Sequence, residues 1–179
     1  MDFAVGIQDK PGDLIALFER SFANSEGEEE GRVIGALVQN LISTTPPKDL
    51  FVYSASEAGT FIGVIVFTRI RFSEDERTVF MLSPVAVAPD RQGEGIGQAL
   101  LNFGLDGLRA LGVDIALTYG APAYYAKVGF QQITDADAYP PFPLSRPEGW
   151  LGQSLGEALL EPLQGKSRCA PAFDDPKYW

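Results

Sequence analysis

Two short stretches hold the residue types and spacings best suited to chemistry. The first is Gln92-Gly93-Glu94-Gly95-Ile96-Gly97-Gln98, with glycines at every second position. A run of β-formers over residues 79–87 leads into it through Pro89-Asp90, and Ile96, Leu100, Leu101, Leu105 and Leu108 follow it at helical spacing. A strand that turns through glycines into a helix start makes an anion cradle. The first helical N–H groups lack intrahelical partners and the helix dipole is positive there, while glycine lets a phosphate approach without meeting a Cβ. The same pattern also describes a glycine-rich turn that does no more than cap a helix. Two phosphate motifs are excluded. Gln98 stands where a dinucleotide fingerprint needs its third glycine, and no lysine follows as in a Walker loop. The chain has 0 histidines, so Ser-His-Asp and Cys-His catalysis are excluded and acid–base work falls to Asp, Glu, Tyr, Lys or water.

The second stretch is Ala121-Pro122-Ala123-Tyr124-Tyr125-Ala126-Lys127-Val128-Gly129-Phe130. It predicts a short helix from Pro122, stopped by Gly129 and followed by an apolar strand over residues 130–133. Adjacent residues on such a helix point about 100° apart, so Tyr124 and Tyr125 cannot face the same atom. Together the two stretches carry a resemblance. Gln92-x-x-Gly95-x-Gly97 resembles the Q/R-x-x-G-x-G/A pyrophosphate loop of the GNAT family of N-acetyltransferases. Tyr125-x-Lys127-x-Gly129-Phe130, about 30 residues on, resembles that family's motif B. The Ala-Pro-Ala-Tyr-Tyr form, with Pro171-Ala172-Phe173 near the C-terminus, is similar to the YhbS-like subgroup. The core resemblance covers roughly residues 3–135.

That resemblance implies acetyl-CoA as cosubstrate, no metal, and direct transfer of the acetyl group to a primary amine of a small molecule or peptide in a ternary complex. Such chemistry needs a donor for the carbonyl oxygen as charge develops, a proton for the leaving thiolate, and loss of a proton from the amine. The free N–H of Val85, beside an expected strand bulge, is the candidate for the first, and Tyr125 is implied for the second, with Tyr124 its rival. Cofactor contacts are expected from Val85, Ala86, Val87, Gln92, Gly93, Glu94, Gly95, Ile96, Gly97, Gln98, Tyr125 and Lys127. Val87 would pair with the pantetheine amides. Arg91 and Lys127 are placed to meet phosphates or to stay exposed. No general base stands out: Glu57, Glu74, Asp75 and the run Glu28-Glu29-Glu30 are all expected in loops, and ordered water can take the proton. Two alternatives stay open, an acyltransferase using another acyl-CoA and a non-catalytic CoA-binding sensor or subunit.

The elements that must position these residues follow from periodicity. Residues 2–8 predict a first strand. Pro11 opens a helix with Leu14, Leu17 and Phe18 inward, residues 24–31 a polar loop, and residues 33–42 a second helix that ends at Pro46-Pro47. The glutamate run in that loop either attracts an ammonium or simply solvates a helix start. Strands are predicted over 50–55, 60–72 and 78–87, an antiparallel meander whose last member contains Pro84, a ladder-breaking residue that marks a bulge. After the glycine loop come a helix to Ala110 and a strand over 113–119, which should lie parallel through a right-handed crossover. The resemblance implies an α/β (α+β) GNAT fold. It has a mixed, mostly antiparallel central sheet flanked by helices and splayed between the fourth and fifth strands. Residues 1–165 form the domain and 166–179 a tail docked on it or on a partner subunit. Residues 135–150, rich in Pro and aromatics, are expected to wall the acceptor pocket or to form a dimer flap. Residues 150–163 are expected to supply a closing strand anchored by Leu151, Leu155, Leu159 and Leu160, with a helix over 155–160 as the alternative.

Composition sets outer bounds. At 179 residues the chain suits one well-buried domain. Net charge is −10 with a pI near 4.4, which argues against nucleic acid and anionic membranes and suits a cationic amine acceptor. The acidic N-terminus without a basic-then-apolar signal, and the single Cys169, fit a cytoplasmic protein, monomer or homodimer, without disulfides or zinc.

Overall fold

The computed structural model describes residues 1–7 and 9–179. The strands are β1 (Asp2–Val5), β2 (Leu50–Glu57), β3 (Thr60–Phe72), β4 (Asp75–Val87), β5 (Ile115–Tyr119), β6 (Gln131–Gln132), β7 (Trp150–Ser154) and β8 (Ser167–Arg168). The helices are α1 (Pro11–Glu26), α2 (Glu28–Thr44), α3 (Ile96–Ala110) and α4 (Pro122–Tyr125). The hydrogen-bonded strand order is β1-β2-β3-β4-β5-β7-β6, with β8 paired to β3. The sheet is mixed: β4 and β5 run parallel and the other described pairs antiparallel. The chain divides into two compact units, residues 1–67 with 84–104 and residues 68–83 with 105–179, so β3, β4 and α3 each run through the division.

In the first unit, Pro11 opens α1 at a position where its missing N–H costs nothing, and Leu14, Leu17, Phe18 and Ser21 recur on one buried face. The expected polar loop over 24–31 is not there. Asn24-Ser25-Glu26 finish α1, and Gly27 alone, at φ 102°, turns the chain into α2. Glu28, Glu29 and Glu30 form the first turn of α2, where carboxylates suit the positive end of the helix. The two helices pack closely because α2 presents glycines to α1. A Cβ on Gly31 would lie 2.6 Å from the Glu19 carbonyl and 2.8 Å from the Ala23 Cβ. Strand β1 is shorter than expected, ending at Val5 against β2; Gln8, at the end of the predicted strand, lies outside the described residues. Ala58 and Gly59, both at positive φ, make the two-residue turn between β2 and β3. On α3, Ile96 and Leu100 crowd Gly63, and Gly104 lets Ile65, Phe67 and Tyr53 approach.

In the second unit the parallel ladder pairs Val79 with Ile115 through Leu82 with Thr118 and stops there, although β4 continues to Val87. Strand β4 passes through Pro84 without a break, and its ladder to β5 has ended two residues earlier. Strand β5 starts at Ile115, two residues later than expected, because Gly112 turns at φ 75° and Val113-Asp114 complete the turn. The expected strand over 130–133 is reduced to β6, and the closing strand to β7, which pairs with β5 from Ile115–Ser154 to Tyr119–Trp150. Neither a strand nor a helix covers residues 155–163. Leu151 and Leu155 are buried as expected, but Leu159 is 90% exposed and anchors nothing. An ion pair holds this segment instead: Arg77 grips Asp75 through two nitrogens and donates to the carbonyls of Glu161 and Pro162. At the C-terminus Trp179 is buried, stacked on Tyr119 at 6.4 Å and edge-on to Trp150 at 6.1 Å, with its indole N–H donated to the Phe173 carbonyl.

Candidate functional site

The candidate residues fall into two groups, one in each unit. The first lies on the end of β4, the loop after it and the start of α3. From Pro84 to Ala88 burial alternates, with Pro84, Ala86 and Ala88 buried and Val85 and Val87 half-exposed. The N–H of Ala88 donates to the Ile62 carbonyl of β3 at 2.9 Å. Backbone direction alternates with the same period of two, so Val85 and Val87 turn their N–H groups away from β3. Pro84 shares the register of Ala88, and its missing donor is therefore one that would have faced β3. The Val87 carbonyl is capped twice, by Ser21 Oγ at 3.1 Å and Gln92 Nε2 at 3.2 Å. With both lone pairs engaged, Val87 can offer a ligand its N–H and nothing more.

The loop itself is a single 3-10 turn over Pro89–Arg91 followed by Gln92, Gly93, Glu94 and Gly95. Gly93 and Gly95 sit at φ 84° and 81°, and a Cβ at either would point into open space. The conformation, rather than crowding by the fold, requires glycine here. The first helical bond of α3 runs from the Ala99 N–H to the Gly95 carbonyl at 3.0 Å. The N–H groups of Ile96, Gly97 and Gln98 fall ahead of it, where an α-helix offers them no partner. The Ile96 side chain is buried, so its contribution to a ligand is limited to the backbone. Gln92 is exposed and its amide turns back to Val87. Arg91 lies between two carboxylates, with Glu57 and Glu94 each at 2.9 Å. Those pairs raise the guanidinium's pKa and, through the bond from Arg91, hold the Glu57 carboxyl below the usual carboxylate range. The loop is thus clipped to the end of β2 through the Nε and one Nη of Arg91.

The second group gathers on β5 and α4. Tyr125 meets Tyr124 edge-on at 5.1 Å and Phe130 at 5.8 Å. Gly120 makes room for it, since a Cβ there would lie 2.7 Å from the Tyr125 ring. Burial pushes the Tyr125 phenol up to about 12, with Tyr124 adding in the same direction, and the Thr118 hydroxyl is its hydrogen-bond neighbour. The Thr118 hydroxyl opposes that rise, and it donates its own proton to the Leu82 carbonyl at 2.8 Å. Burial also raises Tyr124. Lys127 is exposed on the 3-10 turn Ala126–Val128 that Gly129 ends at φ 96°. Asp75, at the start of β4 rather than in a loop, is held down to about 2 by the hydrogen bond from Arg77, which makes it a poor base.

Sequence reasoning missed Ser21, Thr118 and the Glu57–Arg91–Glu94 clip. Thr118 left a signal, a lone hydroxyl inside the apolar run Ile-Ala-Leu-Thr-Tyr. Ser21 left a weaker one, a small polar residue at the inward spacing of α1. Among the described residues no group of three or more His, Cys, Asp or Glu is arranged to hold a metal, and no helix is long and apolar enough to cross a membrane.

This arrangement has counterparts. The model of the acetyltransferase (GNAT) family matches residues 12–130. The chain is similar to the uncharacterized N-acetyltransferase YjhQ of Escherichia coli K12, 32% identical over 162 residues, covering 85% of this chain and 89% of that one. It is 28% identical to the uncharacterized N-acetyltransferase YhbS of the same organism over 123 residues, 69% of this chain and 68% of that one. The crystal structure of Escherichia coli YhbS in complex with CoA superposes with a TM-score of 0.78 at 22% identity, covering 97% of this chain and 92% of that one. A GNAT family acetyltransferase from Brucella melitensis in complex with acetyl-CoA gives 0.69 at 25% identity, covering 97% and 99%.

Proposed function

The chain belongs to the acetyltransferase (GNAT) family, and from that premise we propose that it transfers an acetyl group from acetyl-CoA to a primary amine by direct attack in a ternary complex. The observation that carries the reading is the backbone of the loop, with Gly93 and Gly95 at positive φ ahead of the free N–H groups that open α3. A related acetyltransferase structure holds acetyl-CoA, which supports the same cosubstrate here. We take residues 1–165 as the acetyltransferase domain, 166–179 as its tail, and the single thiol Cys169 as support for a cytoplasmic monomer or homodimer.

Acetyl-CoA supplies an acyl thioester. The N–H groups of residues 93–98 bind its pyrophosphate, and the N–H of Val87 binds an amide carbonyl of the pantetheine arm. The N–H of Val85 stabilises the thioester oxygen as the amine nitrogen bonds to carbon and the C–S bond breaks. Tyr125 hydrogen-bonds the departing sulfur. Full proton transfer from a phenol at about 12 to a thiolate near ~8.5 is uphill. The sulfur therefore leaves under a strong hydrogen bond and takes its proton from water. Glu57 and Asp75 are held by Arg91 and Arg77, so the amine's proton also passes to water.

Thermal unfolding with acetyl-CoA, CoA and NAD tests the donor half. A ligand at 100-fold excess over its Kd adds about 2.7 kcal/mol of stability. Stabilisation by acetyl-CoA but not by NAD is expected, and no shift with either CoA species refutes the proposal. Release of free CoA with a panel of primary amines tests transfer. Stabilisation without release under any amine would make the chain a CoA-binding sensor.

A further inference from the structure

The segment between β6 and β7 borders a half-open cavity of about 490 Å³ whose lining includes none of the residues assigned to acetyl-CoA. Its walls are mainly apolar and aromatic, with Ile133, Tyr139, Phe142, Leu144 and Trp150 among prolines 140, 141, 143 and 147, and Gln132 and Thr134 as uncharged polar members. Trp150 is fully buried, and its indole N–H is already given to the Ala138 carbonyl at 2.8 Å, so towards the cavity it is an apolar wall. Tyr139 is 52% exposed at the mouth, and among the described residues its ring stacks on no other ring. The volume lies within the range of small-molecule sites, roughly 300–1,000 Å³.

The charge of the lining is one-sided. Two carboxylates, Asp135 and Glu148, line the cavity, and neither has an ion pair or hydrogen bond among the described residues. Asp137, close in sequence, differs because it accepts from both the N–H and the hydroxyl of Thr134. No lysine or arginine lines the cavity; Arg146, on the same segment, lies outside the lining. An apolar chamber with two unpaired carboxylates and a free aromatic face suits an ammonium attached to an apolar body. The carboxylates attract the charge, the Tyr139 face adds a cation–π contact, and the walls desolvate the body. A polyamine leaves the walls unfilled, a polyhydroxylated amine has hydroxyls to desolvate there, and an anion meets two like charges.

We propose that this cavity binds the acceptor, and that the acceptor is an arylalkyl or alkyl amine, an apolar body carrying an ammonium. Naming the ligand as the acceptor rests on the acetyl-transfer reading; binding of such an amine does not.

Isothermal titration of the full chain without CoA, using tryptamine as probe, tests the proposal. Spermidine supplies charge without a ring, 3-methylindole a ring without charge, and indole-3-propionate a ring with the wrong charge. Tryptamine should bind at least about tenfold more tightly than each, since exposed ion pairs and a cation–π contact contribute about two- to fivefold apiece. The double variant Asp135→Asn, Glu148→Gln should lose about tenfold for tryptamine and leave 3-methylindole unchanged. Phe142→Ala should weaken both ring ligands alike, and a thermal melt of each variant verifies the fold. Equal binding of spermidine or indole-3-propionate, or an unchanged tryptamine affinity in the double variant, overturns the proposal. Because acetyl-CoA stabilisation is measured separately, failure here with an intact acetyl-CoA shift refutes the cavity and not the donor site. Tryptamine binding without an acetyl-CoA shift would do the reverse.

Discussion

Replacing Gly95 with alanine separates the cost of the loop's conformation from its use. At φ 81° the backbone is in the left-handed region, and a Cβ there costs about 1–2 kcal/mol of native stability even though it touches nothing within 4 Å. For a chain of this size the apo melting temperature should fall by about 2–8 °C. In the proposed donor site the Cβ would project into the space from which a phosphate would approach the N–H groups of Ile96 and Gly97. Losing one charge-assisted hydrogen bond there is worth about 1.5–3 kcal/mol, so acetyl-CoA should bind about 100-fold more weakly. At a fixed concentration of 100 times the wild-type Kd, ligand stabilisation then drops from about 2.7 kcal/mol to RT ln 2, about 0.4 kcal/mol. In a melting experiment the acetyl-CoA shift shrinks from about 5–11 °C to about 1–2 °C. A lower apo melting temperature with an undiminished acetyl-CoA shift would show that the loop caps a helix and binds no phosphate.

Tyr125→Phe should lower kcat by about 10–100-fold, the worth of a hydrogen bond to a charged group, with the KM for acetyl-CoA within twofold in a CoA-release assay. Unchanged kcat removes Tyr125 from the reaction. Because its pKa of about 12 lies above the ordinary 10.0, Tyr125 contributes stability below pH 10 that is lost as pH rises through 12. Tyr125→Phe should therefore flatten the alkaline fall in urea midpoint. Asp75 has the opposite sign: held at about 2 against an ordinary 3.8, it contributes stability above pH 4 that is lost as pH falls through 2. Arg77→Ala brings the two pKa values together and should shrink that acid-side loss, so urea midpoints that stay parallel to those of the unsubstituted chain between pH 2 and 5 would contradict the pairing. Trp179→Ala empties a site bounded by Tyr119, Trp150 and Phe173 and should cost about 3–5 kcal/mol in denaturant unfolding.

The features legible in the sequence are those set by local backbone chemistry. Apolar residues at helical spacing placed α3 at its observed bounds, a continuous apolar and β-branched run placed β3, and two of the three loop glycines, Gly93 and Gly95, adopt positive φ. Where periodicity misled, a solvent-facing surface was taken for a loop. Asn24-Ser25-Glu26 is polar because it is the exposed end of α1, and one glycine suffices to turn the chain. Leu159 misled in the other direction, an apolar residue with nowhere to pack. The partnerships of the site could not be read at all. Ser21 caps a carbonyl 66 residues away and Arg91 reaches a carboxylate 34 residues away, and no local pattern encodes such pairings. Residues 135–150 are expected from the sequence to wall a pocket or form a flap, and their prolines and aromatics announce packing without saying which of them line an opening.

The doubly capped carbonyl of Val87 has a consequence for assembly. A strand that slips by one residue turns every side chain to the other face and every backbone group to the other edge. Pro84 removes one ladder donor from this end of β4 and so weakens its hold on register. For a slip of one residue the carbonyl brought to Ser21 would be that of Ala86 or Ala88, which faces β3. Ser21, only 6% exposed, would be left with a buried and unsatisfied hydroxyl. The Ser21 hydroxyl thus penalises misalignment of β4 at the point where proline weakens its ladder.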